Sequence, residues 1–281
     1  MPNDIDLLIE LALREDIGAG DVTAEYFVPD SKLVRAMMLV KADGVIAGLE
    51  VAEKVIRLVD PELLVKLLKV DGDSVAYGDH VMQIEGSAKS ILTAERTALN
   101  FAQRLSGVAT KTATFVQRVQ GTKVQVLDTR KTTPGWRMLE KAAVISGGGM
   151  NHRMGLYDRA MVKDNHLVAE SGLSDLQVAI DTLKAEKPAV QVELEADTLA
   201  QVQGFLSLRG VDYILLDNMS NDQLEQAVAM RGTAGPRLEA SGGVNLDSIA
   251  SIAATGVDFI SVGALTHSAV ALDISLEFFD L

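Results

Sequence analysis

Leu127-Asp128-Thr129-Arg130-Lys131-Thr132-Thr133-Pro134-Gly135, then Gly147-Gly148-Gly149-Met150-Asn151-His152-Arg153, then Val162-Lys163-Asp164-Asn165-His166, is the stretch that decides the fold. An apolar run (Val124, Val126, Leu127) breaks into Asp-Thr-Arg-Lys. A second (Ala160, Met161, Val162) breaks into Lys-Asp-Asn-His. A buried parallel strand has this pattern when its C-terminal end emerges into an active site. Three glycines before Asn-His-Arg make a loop that can bring backbone N–H groups and cationic side chains to one anion. From Arg96 to Lys163 the chain carries twelve lysines and arginines, opposed only by Asp128, Glu140 and Asp158.

Working outward, the later chain repeats strand then helix. Strands are expected at Val124–Leu127, Ala160–Lys163, Ala189–Leu194, Tyr213–Leu216, Arg237–Ala240 and Phe259–Val262. Helices are expected at Leu173–Leu183, Thr198–Leu206, Asn221–Met230 and Leu246–Ala254, from apolar residues at three- and four-residue spacing. This alternation predicts a parallel sheet, doubly wound or closed into a barrel. Polar residues follow almost every strand: Asp128-Thr129-Arg130, Asp164-Asn165-His166, Glu195, Asp217-Asn218, Ser241-Gly242-Gly243 and Gly263. Functional groups at all strand ends favour the barrel.

The first hundred residues lack that rhythm. A helix over Ile5–Leu13, strands at Leu33–Val40, Val45–Ala47, Leu63–Val70 and His80–Ile84, and a helix over Leu49–Leu58 suggest a small α+β domain. A helical stretch from Ser90 to Val119 follows, with Ser106-Gly107 read as a bend near the domain boundary.

The chain of 281 residues, 48% apolar and 23% charged, can bury a sizeable core. It has no cysteine, so a disulfide framework and thiolate metal sites are excluded. The N-terminal residues lack a basic-then-apolar pattern, so no signal peptide is expected. No uncharged apolar run approaches the ~20 residues of a membrane span. A net charge of −13 argues against a nucleic-acid partner. A basic cluster inside an acidic chain suits capture of a small polyanion.

Arg96, Arg130, His152, Arg153 and Lys163 form the candidate anion site, since guanidinium–carboxylate pairs suit a planar dicarboxylate. Ser241-Gly242-Gly243 and Val262-Gly263-Ala264 follow the last two strands, where barrels often hold phosphate on backbone N–H groups. Glu193 and Asp217 lie in or end apolar strands, where a carboxylate needs a partner or a metal. Two hard oxygen ligands beside a phosphate suit Mg²⁺. Alternation puts Glu195 on the same face as Glu193 and leaves open which of them serves the site. His80 and Trp136 read as structural, and His267 as support for the second phosphate loop.

At these residues the chain resembles the quinolinate phosphoribosyltransferases (nicotinate-nucleotide pyrophosphorylase, carboxylating). Asp128-Thr129-Arg130-Lys131-Thr132-Thr133-Pro134-Gly135, the Gly147–Arg153 run and Lys163-Asp164-Asn165-His166 carry the likeness. Thr93-Ala94-Glu95-Arg96, Leu216-Asp217-Asn218, Glu239-Ala240-Ser241-Gly242-Gly243 and Leu265-Thr266-His267-Ser268 extend it over essentially the whole chain. The resemblance implies an N-terminal α+β sandwich-like domain, 1–107, and an incomplete α/β (TIM-like) barrel, 108–281, with the tail from about 270 free to pack back on the first domain. It implies transfer of the phosphoribosyl group of phosphoribosyl pyrophosphate to quinolinate with decarboxylation, giving nicotinate mononucleotide. It gives the quinolinate carboxylates to Arg130, His152, Arg153 and Lys163, with Arg96 reaching in from the other subunit of a homodimer. Lys131, with Thr129 beside it, would contact phosphoribosyl pyrophosphate, whose 5-phosphate would sit on Ser241, Gly242, Gly243, Val262, Gly263 and Ala264. Lys163, Glu193 and Asp217 would carry the chemistry, with Mg²⁺ near Glu193 and Asp217 and no organic cofactor. Glu193 is the better motif match, although the family often has a further acid at Gln191. A cytoplasmic location is expected. The alternatives are a molybdenum-transport-linked phosphoribosyltransferase-like protein, which Lys163-Asp164-Asn165-His166 disfavours, a phosphosugar isomerase or aldolase barrel, and a non-catalytic small-anion-binding barrel.

Overall fold

The computed structural model describes residues 4–163 and 172–281. Asp164, Asn165 and His166 lie outside the described residues. In chain order the elements are α1 (Asp4–Ile17), α2 (Val22–Phe27), β1 (Leu33–Val40), β2 (Gly44–Val45), α3 (Leu49–Val59), β3 (Leu64–Leu67), β4 (Ser74–Val75), β5 (His80–Ser87), α4 (Ala88–Arg118), β6 (Gln125–Leu127), α5 (Arg137–Ser146), β7 (Arg159–Val162), α6 (Leu173–Glu186), β8 (Gln191–Ala196), α7 (Leu199–Phe205), β9 (Tyr213–Asp217), α8 (Asn221–Arg231), β10 (Arg237–Ser241), α9 (Ile249–Ala254), β11 (Phe259–Ser261), α10 (Ala264–His267) and β12 (Ile274–Asp280). They fall into two compact units. The first comprises residues up to Ala113, Thr132–Gly148 and Leu265–Leu281; the second comprises Thr114–Lys131 and Gly149–Ala264.

The first unit is built on an antiparallel sheet of order β12-β1-β5-β3. β1 alternates as its sequence predicts: Val34, Ala36, Met38 and Val40 are buried and their neighbours face outward. The chain's last strand, β12, pairs antiparallel along β1 from Val34↔Asp280 to Val40↔Ile274. α3 has no capping side chain of its own. Asp71, distant in sequence, accepts from the N–H groups of Gly48 and Leu49 at 2.7 and 3.0 Å. Trp136 stacks on Phe101 with ring centroids 4.7 Å apart, the packing role its sequence context suggests.

The expected break at Ser106-Gly107 is absent, because both residues serve the continuous helix α4. Ser106 Oγ accepts from Ala47 N–H at 2.9 Å, and a Cβ on Gly107 would lie 2.1 Å from the Val270 carbonyl oxygen. The glycine permits close backbone approach rather than a bend. The reading of Gly147-Gly148-Gly149 as one anion cradle also changes. Gly147, whose added Cβ would meet the Ala109 oxygen at 2.3 Å, and Gly148, with φ +81°, end α5.

The second unit is a six-stranded sheet of order β6-β11-β10-β9-β8-β7, and every pairing is parallel. Each strand from β7 to β11 pairs with its successor, and the last pairs with β6. That is the cyclic order of a barrel, without the reversal of a doubly wound sheet; only a β6–β7 pairing is missing among the described residues. The barrel is therefore incomplete, as expected. One sheet face is apolar, with Val192, Leu194, Ile214, Leu216, Leu238, Ala240 and Ile260 all buried. α7 and α8 start at capping boxes, Thr198 with Gln201 and Ser220 with Gln223.

Candidate active site

The other sheet face carries the polar residues in bands, because side chains alternate along each strand. Register places Arg159 opposite Gln191, Met161 opposite Glu193, Glu195 and Glu239 each opposite Leu215, and Ser241 opposite Asp217. The lowest band is Arg159, Tyr213, Arg237 and Phe259. Arg159 lies 4.3 Å over the Tyr213 ring, and Tyr213 and Phe259 are 5.9 Å apart. Next along the strands lie Glu193, Glu239 and Ser261, two residues on from Gln191, Arg237 and Phe259, and at the strand ends Lys163, Glu195, Asp217 and Ser241.

The middle band is an ionic core. Met150 N–H donates to Val126 O at 2.8 Å and Asp128 N–H to Met150 O at 3.1 Å, so the chain after Gly149 runs parallel to the free edge of β6. This brings His152 over the sheet, where its N–H donates to the buried Asp128 carboxylate at 2.9 Å. The His152 ring Nε2 is 3.1 Å from Glu193 Oε2 and 3.5 Å from Glu239 Oε2. Arg159 donates to Glu193 at 3.3 Å, and Ser261 Oγ donates to Glu239 Oε1. Glu193 and Glu239 are fully buried. Burial alone would push the His152 imidazolium down, but hydrogen bonds to Glu193 and Glu239 outweigh it and raise it to about 9. Burial pushes the Glu239 carboxyl up. Glu193 is raised by burial too, but the His152 and Arg159 contacts prevail and hold it below the usual carboxylate range.

His152 and Glu193, both expected to touch ligands, are thus spent largely on each other, with the His152 ring Nε2 turned toward the carboxylates. Glu193 sits one band below the strand ends and has no exposed surface. The β8 carboxylate at the strand end is Glu195, which accepts from Lys163 Nζ at 2.5 Å. Asp217, also at a strand end and half-buried, accepts from Asn218 Nδ2 at 2.7 Å.

The remaining expected residues separate by unit. Thr129, Arg130 and Lys131 follow β6, and Lys131 N–H donates to Thr129 Oγ1 at 3.1 Å. Burial and the neighbouring Arg130 guanidinium both push the Arg153 guanidinium down, so these two cations lie close enough to repel. Arg153 also donates to Arg159 O at 3.3 Å. Ser241-Gly242-Gly243 and Val262-Gly263-Ala264 follow adjacent paired strands, β10 and β11. Gly242 and Gly243 have φ of +100° and +59°, which the loop requires of glycine. Arg96 lies exposed on α4 in the first unit. His267 pairs with Ser268 Oγ at 2.6 Å.

Arg159, Glu239 and Ser261 belong to this core in addition to the residues expected from the sequence. Period-two counting from Lys163, Ser241 and Gly263 reaches all three. Two carboxylates at strand ends, Arg130 after β6, Lys163 after β7 and Arg153 between α5 and β7, and two adjacent glycine loops suit a substrate pair with a dicarboxylate on one side and a phosphorylated sugar on the other.

Comparisons with known proteins agree with this geometry. Residues 21–106 match the family model described as quinolinate phosphoribosyl transferase, N-terminal domain, and residues 108–277 match the corresponding C-terminal domain. Quinolinate phosphoribosyltransferase [decarboxylating] 1b of Nicotiana tabacum is 42% identical over 98% of this chain and 82% of that protein. Nicotinate-nucleotide pyrophosphorylase [carboxylating] of Mycobacterium leprae is 41% identical over 96% of this chain and 95% of that protein. The solved nicotinate-nucleotide pyrophosphorylase of Francisella tularensis superposes with a TM-score of 0.92 at 37% identity, covering 99% of this chain and 98% of that one.

Proposed function

The chain belongs to the quinolinate phosphoribosyltransferase family, and from that premise we propose that it joins quinolinate to phosphoribosyl pyrophosphate, giving nicotinate mononucleotide, pyrophosphate and carbon dioxide. The observation that carries the reading is the gathering in one unit of Arg130, Lys163, Glu195, Asp217 and the β10 and β11 glycine loops at C-terminal strand ends, with Arg153 beside Arg130.

Arg130, Arg153 and Lys163 hold the two carboxylates and turn the ring nitrogen toward C1 of the ribose. The C1–oxygen bond breaks with its electron pair leaving on pyrophosphate, and the ring nitrogen bonds to C1. Glu195 and Asp217 face the positive charge that develops on the ribose. The nitrogen, now cationic, stabilises the electron pair left on the ring when the adjacent carboxylate departs as carbon dioxide, and that carbon then takes a proton. His152, backed by Glu193 and Glu239, adds a buried positive charge beneath the dicarboxylate. No covalent enzyme intermediate is required.

Mg²⁺ fits Glu195 and Asp217, which offer hard oxygen donors at the strand ends, better than the buried His152–Glu193–Glu239 group already neutralised by Arg159. When bound it would neutralise charge on the departing pyrophosphate. We assign the carboxylate of β8 in this role to Glu195, in place of Glu193. Assay of the purified protein with both substrates, with and without a chelator, tests the reading. Metal-dependent consumption of quinolinate is expected; a folded protein that forms no nicotinate mononucleotide refutes it.

Arg96 enters through the homodimer that this reading includes. Inactive Arg96→Ala and Arg130→Ala chains, mixed and allowed to exchange, should recover roughly a quarter of wild-type activity, because about half the dimers are mixed and each has one intact site. Mixed dimers without recovery refute the shared site. No described helix is long and apolar enough to cross a membrane. The lack of cysteine agrees with the cytoplasmic setting proposed, which imaging of the tagged chain tests.

A further inference from the structure

Asn218 is the one described residue other than glycine with a left-handed backbone, φ +54°. That conformation is unfavourable for any side chain with a Cβ and is tolerated best by Asn and Asp. Nothing in the core demands it, because Asn218 is exposed. Its surroundings are nonetheless closely fitted. Its N–H donates to Ser241 O at 2.9 Å, tying the end of β9 to the end of β10. Its Nδ2 donates to Asp217 Oδ2 at 2.7 Å. Its Oδ1 packs against Gly242 so closely that a Cβ there would lie 2.2 Å from that oxygen and 3.0 Å from the Asn218 nitrogen. Strained backbone that the surrounding structure holds in place commonly marks a functional site.

We propose that Asn218 is a positioning residue, whose left-handed backbone aims its amide so that it fixes one oxygen of Asp217 and seats the Ser241-Gly242-Gly243 loop at a set distance from that carboxylate. The glycine at 242 is then required twice, for its own positive φ and for room beside the amide. The other Asp217 oxygen is left for the ribose side of phosphoribosyl pyrophosphate, and the loop for its phosphate. The inference rests on the reading of these groups as the phosphoribosyl pyrophosphate site.

The test is a double-mutant cycle between Asn218→Gly and Asp217→Asn. Glycine accepts the backbone conformation, so the thermal midpoint of Asn218→Gly should equal or exceed that of wild type. Its kcat/KM for phosphoribosyl pyrophosphate should fall about tenfold or more, the usual consequence of losing a hydrogen bond to a charged group. Calorimetric affinity for phosphoribosyl pyrophosphate should weaken in parallel. In the Asp217→Asn background, where the acceptor is a neutral amide oxygen, the same substitution should cost several-fold less than in the wild-type background. Asn218→Asp, which keeps the shape but puts a second carboxylate where the donor was, should lose at least as much if Asn218→Gly is poorly folded. An unchanged kcat/KM in the folded variants, or an equal loss in both backgrounds, overturns the proposal. Absence of turnover in the wild-type protein would instead strike the functional reading on which it rests.

Discussion

Replacing His152 by Gln tests the ionic core beneath the site. In the folded protein, Glu193 on β8 and Glu239 on β10 face the ring, Arg159 on β7 approaches it, and Asp128 holds its backbone N–H. The ring's ordinary value of 6.5 is raised to about 9. A raised histidine favours the folded state fully below pH 6.5, and that contribution fades as pH climbs through about 9. The interval corresponds to about 3.5 kcal/mol at 1.4 kcal/mol per tenfold. The same proton is shared with two carboxylates, so this figure is a ceiling. Glu239, pushed up by burial, acts in the same direction, losing its contribution as pH rises. Glu193, held down by His152 and Arg159, stabilises above the usual carboxylate range and loses that contribution only on acidification, outside this window. Urea denaturation of wild type and His152→Gln at pH 6.5 and pH 9.5 reads the histidine together with the two carboxylates it pairs, because titrations away from this core cancel in the difference. Wild type should lose up to about 3 kcal/mol more than the variant, with m-values unchanged. Profiles that run parallel within about 0.5 kcal/mol would mean that His152 is uncharged in the folded protein near neutrality, and the account of the core would fail.

Arg130→Ala and Lys163→Ala should each weaken quinolinate binding by about 1.5–3 kcal/mol, read by calorimetry, with little change in folding midpoint. Glu193→Ala should destabilise the second unit by about 3–5 kcal/mol in urea, because it strips His152 and Arg159 of a buried partner. Gly107→Ala should destabilise by about 1–3 kcal/mol, since its Cβ would press on the Val270 backbone; a thermal midpoint equal to wild type would contradict that close approach.

The strand–helix alternation of the second unit was legible because each strand carries a buried apolar face and each helix an apolar stripe. The six expected strands appear within a few residues of their expected bounds. The choice of barrel over doubly wound sheet followed from polar residues at every strand end, and the cyclic strand order agrees with it. What sequence could not supply was depth along a strand. Glu193 and Glu195 share a face, and only the register with β9 and the placement of His152 show that the first is sunk and the second stands at the rim. Glycines were ambiguous for a similar reason. Gly107 looks like a bend until Val270 is seen beside it, and Gly147-Gly148 looks like an anion loop until α5 is seen to end there. α3 showed no local start signal, because its cap, Asp71, comes from a later loop.

The pairing of β1 with β12 sets a timetable for synthesis. More than two hundred residues separate Val40 from its partner Ile274. At ~5–20 residues per second the ribosome needs on the order of ten to forty-five seconds to travel between them. During that interval one edge of β1 presents unpaired N–H and C=O groups beside Met38 and other apolar side chains, a template on which another nascent chain could pair. Closing so long a loop is also slow, because its entropy is lost before the strand contacts repay it. The emerging chain should therefore bind chaperones that cover strand edges until β12 arrives. Chains ended before Ile274 should aggregate rather than yield a smaller active enzyme.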